Sequence, residues 1–190
     1  MGNLIGWFRG QARIVQAVIG CGSLLGVCML CGLTVAVGSA LGNVAGTPAE
    51  QATATTAPTA TATPSQAALA AAYTSFVAGG LQPLAADTNA IGNDCGAADV
   101  QSCHDDALQF QLDIASFQSD LDAHPAPHCL AAADKDLRTG LSYYATAAGD
   151  VVDGIDQSDV ALLDEGVRYM RAGNKQMAAT TTAIHHAVCH

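Results

Sequence analysis

Cys103, Ala107, Phe110, Ile114, Phe117 and Leu121 recur at alternating intervals of four and three. A strand needs a period of two, so this series demands a helix with one continuous apolar stripe. Downstream of Pro64 no segment alternates with period two, and the three-four spacing returns in every block. The first block, after a Ser65 cap, carries Leu69, Tyr73, Phe76 or Val77, Leu84 and Ile91. Gly79-Gly80 and Pro83 are expected to kink or break it.

A third helix is expected after His124-Pro-Ala-Pro127, with Leu130, Leu137, Leu141, Tyr144, Ala148, Val151 and Ile155 on its stripe. The fourth begins near Asp156 or Ser158 and carries Val160, Leu163, Val167, Met170, Asn174, Met177, Thr181, Ile184 and Val188. Asn174 and Thr181 interrupt that stripe. A polar residue there fixes register, with a ligand pocket beside Asn174 as the rival reading. Four matched helices on short connections predict an all-α fold, an antiparallel up-down four-helix bundle over residues 66–190.

The preceding chain is of a different kind. Residues 14–40 contain no charge and exceed the roughly 20 residues that cross a bilayer as a helix. They are expected to form a transmembrane anchor after an N-terminal segment, residues 1–13. Arg9 and Arg13 precede the span and the next Lys or Arg is Lys135, so the N-terminus is expected inside the cell membrane and the C-terminal domain outside. The anchor reading is preferred over a cleaved signal peptide, which would exit at Val37-Gly38-Ser39-Ala40 and release a secreted protein. It is also preferred over a lipoprotein acylated at Cys21 after Val18-Ile19-Gly20, because apolar sequence continues past that cysteine. Gly22 and Gly26 would let two spans approach closely, a route to a homodimer. Cys21, Cys28 and Cys31 share a helical face; the Cys28-x-x-Cys31 spacing inside a span is weak evidence for redox chemistry, and Gly32 stands where a haem motif needs His. Residues 41–65, rich in Thr, Ala and Pro, cannot bury enough apolar surface to fold and are expected to be a disordered stalk.

Up-down topology sorts the remaining chemistry into two poles. Cys95 and Cys103 fall at the pole of the first and third turns; Cys129 and Cys189 fall at the other. A disulfide needs Cα atoms within about 7 Å, so only the pairings Cys95–Cys103 and Cys129–Cys189 survive. An extracytoplasmic location is where such bonds persist. His124, His128, His185, His186 and His190 gather near the second pair, and a zinc or copper site drawn from them and the two cysteines is the alternative to a disulfide. The disulfide is preferred, because no CxxC or HExxH spacing links these cysteines and histidines.

Asp87, Asp94, Asp99, Asp105 and Asp106 flank the first turn, and Asp150, Asp153, Asp156, Asp159, Asp164 and Glu165 flank the third, with no Lys or Arg among them. Asp156 and Asp159 suit a helix N-terminus and Asp153-Gly154 suits a turn. Asp150 and Asp153 oppose a helix dipole. Together with Asp94, Asp99 and Asp156 they define an acidic end, read first as a solvated cap, with a partner of basic surface or calcium as alternatives, though no EF-hand pattern is present.

Several classes fall away. Residues 66–190 hold five Lys or Arg against sixteen acids, which excludes the basic face a nucleic-acid partner needs. Glu165 is the only glutamate there and lacks the histidine three residues on that a di-iron bundle requires. Ser102-Cys103-His104-Asp105 is too compressed along one helix for a catalytic relay, and no GxSxG or P-loop occurs. The expectation is a non-enzymatic, membrane-anchored bundle for protein interaction or sensing at a bacterial cell envelope, with metal binding and small-ligand sensing as alternatives.

Overall fold

The computed structural model describes residues 64–190 and, ahead of them, Gly6 alone. The transmembrane anchor, Gly22 and Gly26, the three N-terminal cysteines and the stalk up to residue 63 lie outside the described residues. Among the described residues there are four α-helices and no strand: α1 (Gln66–Gly96), α2 (Val100–Ala123), α3 (Ala131–Asp156) and α4 (Val160–His186), with a 3-10 turn at His128–Leu130 leading into α3. No described helix is long and apolar enough to cross a membrane.

The helix starts follow from side-chain chemistry. Ser65 Oγ accepts from the amide of Ala68, as expected. Asp99 caps α2 by accepting from Ser102 N at 3.2 Å, and Asp159 caps α4 by accepting from Ala161 N at 2.8 Å. Each such cap is worth about 1 kcal/mol. Pro83 neither breaks nor ends α1, which continues to Gly96. Its ring sits on an exposed position, and only one intrahelical hydrogen bond is lost there. Gly80 has a packing role: a Cβ there would lie 2.1 Å from the ring of Phe117.

Contacts between helices set their directions. Tyr73, early in α1, reaches Asp134, early in α3. Arg138 of α3 reaches the carbonyl of Leu121 near the end of α2, while His104 at the start of α2 meets Asp156 at the end of α3. Gln176, well along α4, donates to Asp136, early in α3. Each helix therefore runs against the one before it, and the helices pack in chain order.

All six residues of the α2 stripe are buried. With Leu137, Leu141 and Leu163 they form the centre of the core. Burial of each large side chain contributes about 1.5–3 kcal/mol. Elsewhere the expected stripes shift. Leu69 is exposed and Ala70 is buried in its place; Thr180 is buried rather than Thr181; Val188 lies beyond the end of α4 and is exposed.

The largest departure is a second seam of small residues. Ala133, Gly140, Ala147 and Gly154 on α3, and Gly166, Gly173 and Thr180 on α4, are buried at seven-residue intervals. An added Cβ at Gly166 would stand 3.0 Å from the Ala147 carbonyl oxygen, and at Gly173 2.5 Å from the ring of Tyr144. Small residues let α3 and α4 lie together over more of their length than any other pair.

The two hairpins share a register. Ala98 and Ser158, sixty residues apart, both adopt left-handed backbone, at φ 60° and 55°. Asp99 N donates to Asp94 O and Ala98 N to Cys95 O; Asp159 N donates to Gly154 O and Ser158 N to Ile155 O, the same pattern. This is a Schellman close whose last residue is also the cap of the next helix. Asp153-Gly154, expected in this turn, instead lies inside α3, where Gly154 packs against Leu163. The match extends along the helices, since Gly80 abuts Phe117 and Gly140 abuts Met177, again sixty residues on.

Candidate functional site

Both disulfides form in the expected pairing. Cys95 and Cys103 have Cα atoms 4.9 Å apart, and Cys129 and Cys189 5.5 Å apart. The first bond closes the α1–α2 turn. The second ties the entry of α3 to the residues after α4, so it holds the second hairpin shut at its open end.

With both sulfurs oxidised, Cys129 and Cys189 are not available as thiolate ligands. The histidines share their end of the bundle but do not converge: among the described residues, no three His, Cys, Asp or Glu side chains form a group that could hold a metal ion. His124 stacks on Phe76 with ring centroids 4.5 Å apart, and its Nδ1 lies 2.9 Å from the carbonyl oxygen of Asp120. His128, His185, His186 and His190 are exposed.

That end also carries a polar tie that the apolar pattern did not show. Tyr73 donates to Asp134, which accepts from Arg138 Nε at 2.9 Å; the same guanidinium pairs with Asp122 and donates to the Leu121 carbonyl. One arginine thereby joins α2 to α3 and, through Asp134, to α1. Burial, reinforced by the Asp134 carboxylate, pushes the Tyr73 phenol above its ordinary value. Midway along, Asn174 Oδ1 accepts from Tyr144 Oη at 2.5 Å. The aromatic ring lies over Gly173, so one tyrosine joins α3 to α4 at this height.

The acidic end divides into three environments. Asp99 and Asp159 are caps. Asp153 and Asp164 are exposed on the surface, whereas Asp156 meets His104 Nε2 at 3.3 Å, with His104 Nδ1 3.2 Å from Asp105. The third environment is the seam of α1 and α2, where Asp87 faces Asp113 and Asp94 faces Asp106 within hydrogen-bonding reach. One oxygen each of Asp87, Asp106 and Asp150 is buried without a hydrogen-bond partner. Burial, followed by the facing Asp113, pushes the Asp87 carboxyl up to about 6. Asp106 is raised by burial and then by Asp94, and Asp150 by burial and then by Glu165 and Asp153.

Asp113 did not stand out in the sequence because it lies far from either turn. The signal that would have found it is the pair of seven-residue intervals, Asp87 to Asp94 and Asp106 to Asp113, beside the apolar stripes of their helices. No family model, curated protein or solved structure matches the chain.

Proposed function

We propose that this chain is a non-enzymatic, membrane-anchored protein of a bacterial envelope, displaying its helical bundle outside the cell to engage a protein partner. The observation that carries this reading is the joining of four cysteines into two disulfides, one at each end of the bundle. Such bonds persist where the surroundings are oxidising and are rare in a reducing cytosol. The charge-free run at residues 14–40 and the stalk supply the means of display.

The partner surface is the acidic turn end together with the outer face of α2. Leu108 and Leu112, one turn apart, are exposed there beside Asp105. Neither α1 nor α2 carries a Lys or Arg. Apolar anchors rimmed by a single sign of charge suit a partner with a basic face, and long-range attraction would speed the encounter.

Two measurements test this. Trapping thiols with a membrane-permeant maleimide, under denaturing and non-reducing conditions, should leave Cys95, Cys103, Cys129 and Cys189 unlabelled; free thiols at these positions would overturn the extracytoplasmic placement. Crosslinking with mass spectrometry in native membranes should then yield a partner joined through α2 or the acidic turns, at lower yield in Leu112→Ser. A crosslink pattern unchanged by that substitution would sink the assignment of the surface.

A further inference from the structure

We propose that the α1–α2 hairpin is a proton-operated latch: the facing pairs Asp87–Asp113 and Asp94–Asp106 each take up one proton in mildly acidic surroundings, drawing the two helices together, and the hairpin loosens toward neutral pH. The proposal goes beyond the interaction reading and holds whether or not that reading does.

Geometry is the first support. The four aspartates occupy one seam, at positions that sixty residues later are Ala147, Gly173, Gly154 and Gly166. In the second hairpin those residues are buried and allow helix-to-helix contact. In the first, the same places hold four carboxyl groups, half-buried and aimed at one another. An ionised carboxylate only accepts, so two facing carboxylates have no hydrogen bond to share. That accounts for the partnerless buried oxygens of Asp87 and Asp106. One proton from solvent turns each pair into an O–H donor and a carboxylate acceptor, replacing repulsion with a charge-assisted bond.

Among the described residues only carboxylates act on Asp87 and Asp106 through their charge, and Asp113 also accepts from Gln109 Nε2 at 2.8 Å. Around the pairs stand Asp99 from the turn and Asp105 and His104 from α2, with Asp156 of α3 against His104. Asp150 and Asp153 of α3 and Glu165 of α4 add negative charge at the same end. Arg168 of α4 is engaged with Glu165, and Arg138 of α3 is engaged at the opposite end of the bundle.

The direction of the pH effect follows from the sign of the shift. Asp87 and Asp106 hold their protons more tightly folded than unfolded, so the folded state binds more protons between roughly pH 4 and 6. The Asp87 contribution is complete below the unfolded value near 3.8 and is lost as pH rises through about 6; that of Asp106 runs in the same direction. Asp105 is shifted the other way, by Gln101 first and then by His104, so stability also falls at the acid extreme.

The test is thermal unfolding of the full chain, disulfides intact and with chelator present, between pH 4.5 and 7.5. The midpoint should be higher at pH 5 than at pH 7.5 by roughly 5 °C. In the double variant Asp94→Asn, Asp113→Asn each amide donates to its facing carboxylate without a titrating proton. That variant should melt higher than wild type at pH 7.5 and lose most of the slope. A wild-type midpoint that is flat or falls toward pH 5, or a slope that survives the double substitution, overturns the proposal. His104→Gln should keep the slope; its loss there would reassign the effect to the histidine and overturn the latch. Should the double variant fail to fold, carboxyl NMR titration of wild type decides, with an Asp87 midpoint near 6 in favour and one near 3.8 against.

Discussion

The first hairpin, α1–α2, and the second, α3–α4, end in the same turn and run in the same register, yet they hold together differently. Where the second has Ala147, Gly154, Gly166 and Gly173, the first has Asp87, Asp94, Asp106 and Asp113. Where the first crosses its turn with Cys95–Cys103, the second has Ile155 and Leu163. Small residues let backbones approach, whereas paired carboxylates hold them off at neutral pH. A covalent clasp is therefore found at the turn of the hairpin whose seam is the weaker. The same turn and register can thus carry a tight, inert pair and a loose, titratable one, with four seam positions making the difference.

The largest expected break in this comparison is removal of the bond that closes the second hairpin. Cys129→Ser with Cys189→Ser releases a loop of some sixty residues and should cost about 4 kcal/mol on the chain-entropy estimate, read by denaturant unfolding. Equality with the loss from Cys95→Ser, Cys103→Ser, expected at about 2.5 kcal/mol for its much shorter loop, would show that loop length is not what the two bonds contribute.

Seam exchange sharpens the contrast. Gly166→Ala forces a methyl against the Ala147 carbonyl and should destabilise by about 2 kcal/mol. At its counterpart, Asp106→Ala should be neutral or stabilising at pH 7.5, because it removes a poorly solvated charge. Losses of similar size at both sites would end the claim that the seams differ in kind. Smaller again is Tyr144→Phe, which removes one hydrogen bond to Asn174 and should cost about 1 kcal/mol by the same unfolding measurement. Smallest are Ala98→Gly and Ser158→Gly, each relieving left-handed backbone and expected to raise stability by about 0.5–1 kcal/mol, equally in the two turns.

Legibility in the sequence followed side-chain size. The α2 stripe was readable in full because all six members are apolar, and the disulfide pairing followed from topology and reach. The α3–α4 seam was not readable, since Gly140, Gly154, Gly166 and Gly173 carry no hydrophobic signal and their importance lies in absent volume. For the same reason apolar spacing favours Leu69 although Ala70 is the buried residue, and Asp153-Gly154 reads as a turn although it lies inside α3. The turns themselves close on Ala98 and Ser158, residues with no preference for left-handed backbone. The pairing of Asp87 with Asp113 depends on interhelical register, which spacing along one helix does not supply. Proximity of the five histidines to one end was foreseeable; their failure to converge was not, because it depends on individual side-chain directions.

Asp99 and Asp159 each finish one helix with their amide and begin the next with their carboxylate. No slack separates the two helices at either junction. Adding one residue there would rotate everything downstream by about 100° about its axis, swinging Cys103 or Leu163 from core to solvent. Evolutionary or engineered change in this protein should therefore tolerate new lengths at the loop before α3 far more readily than at these two hinges, where a single codon would be felt along a whole rod.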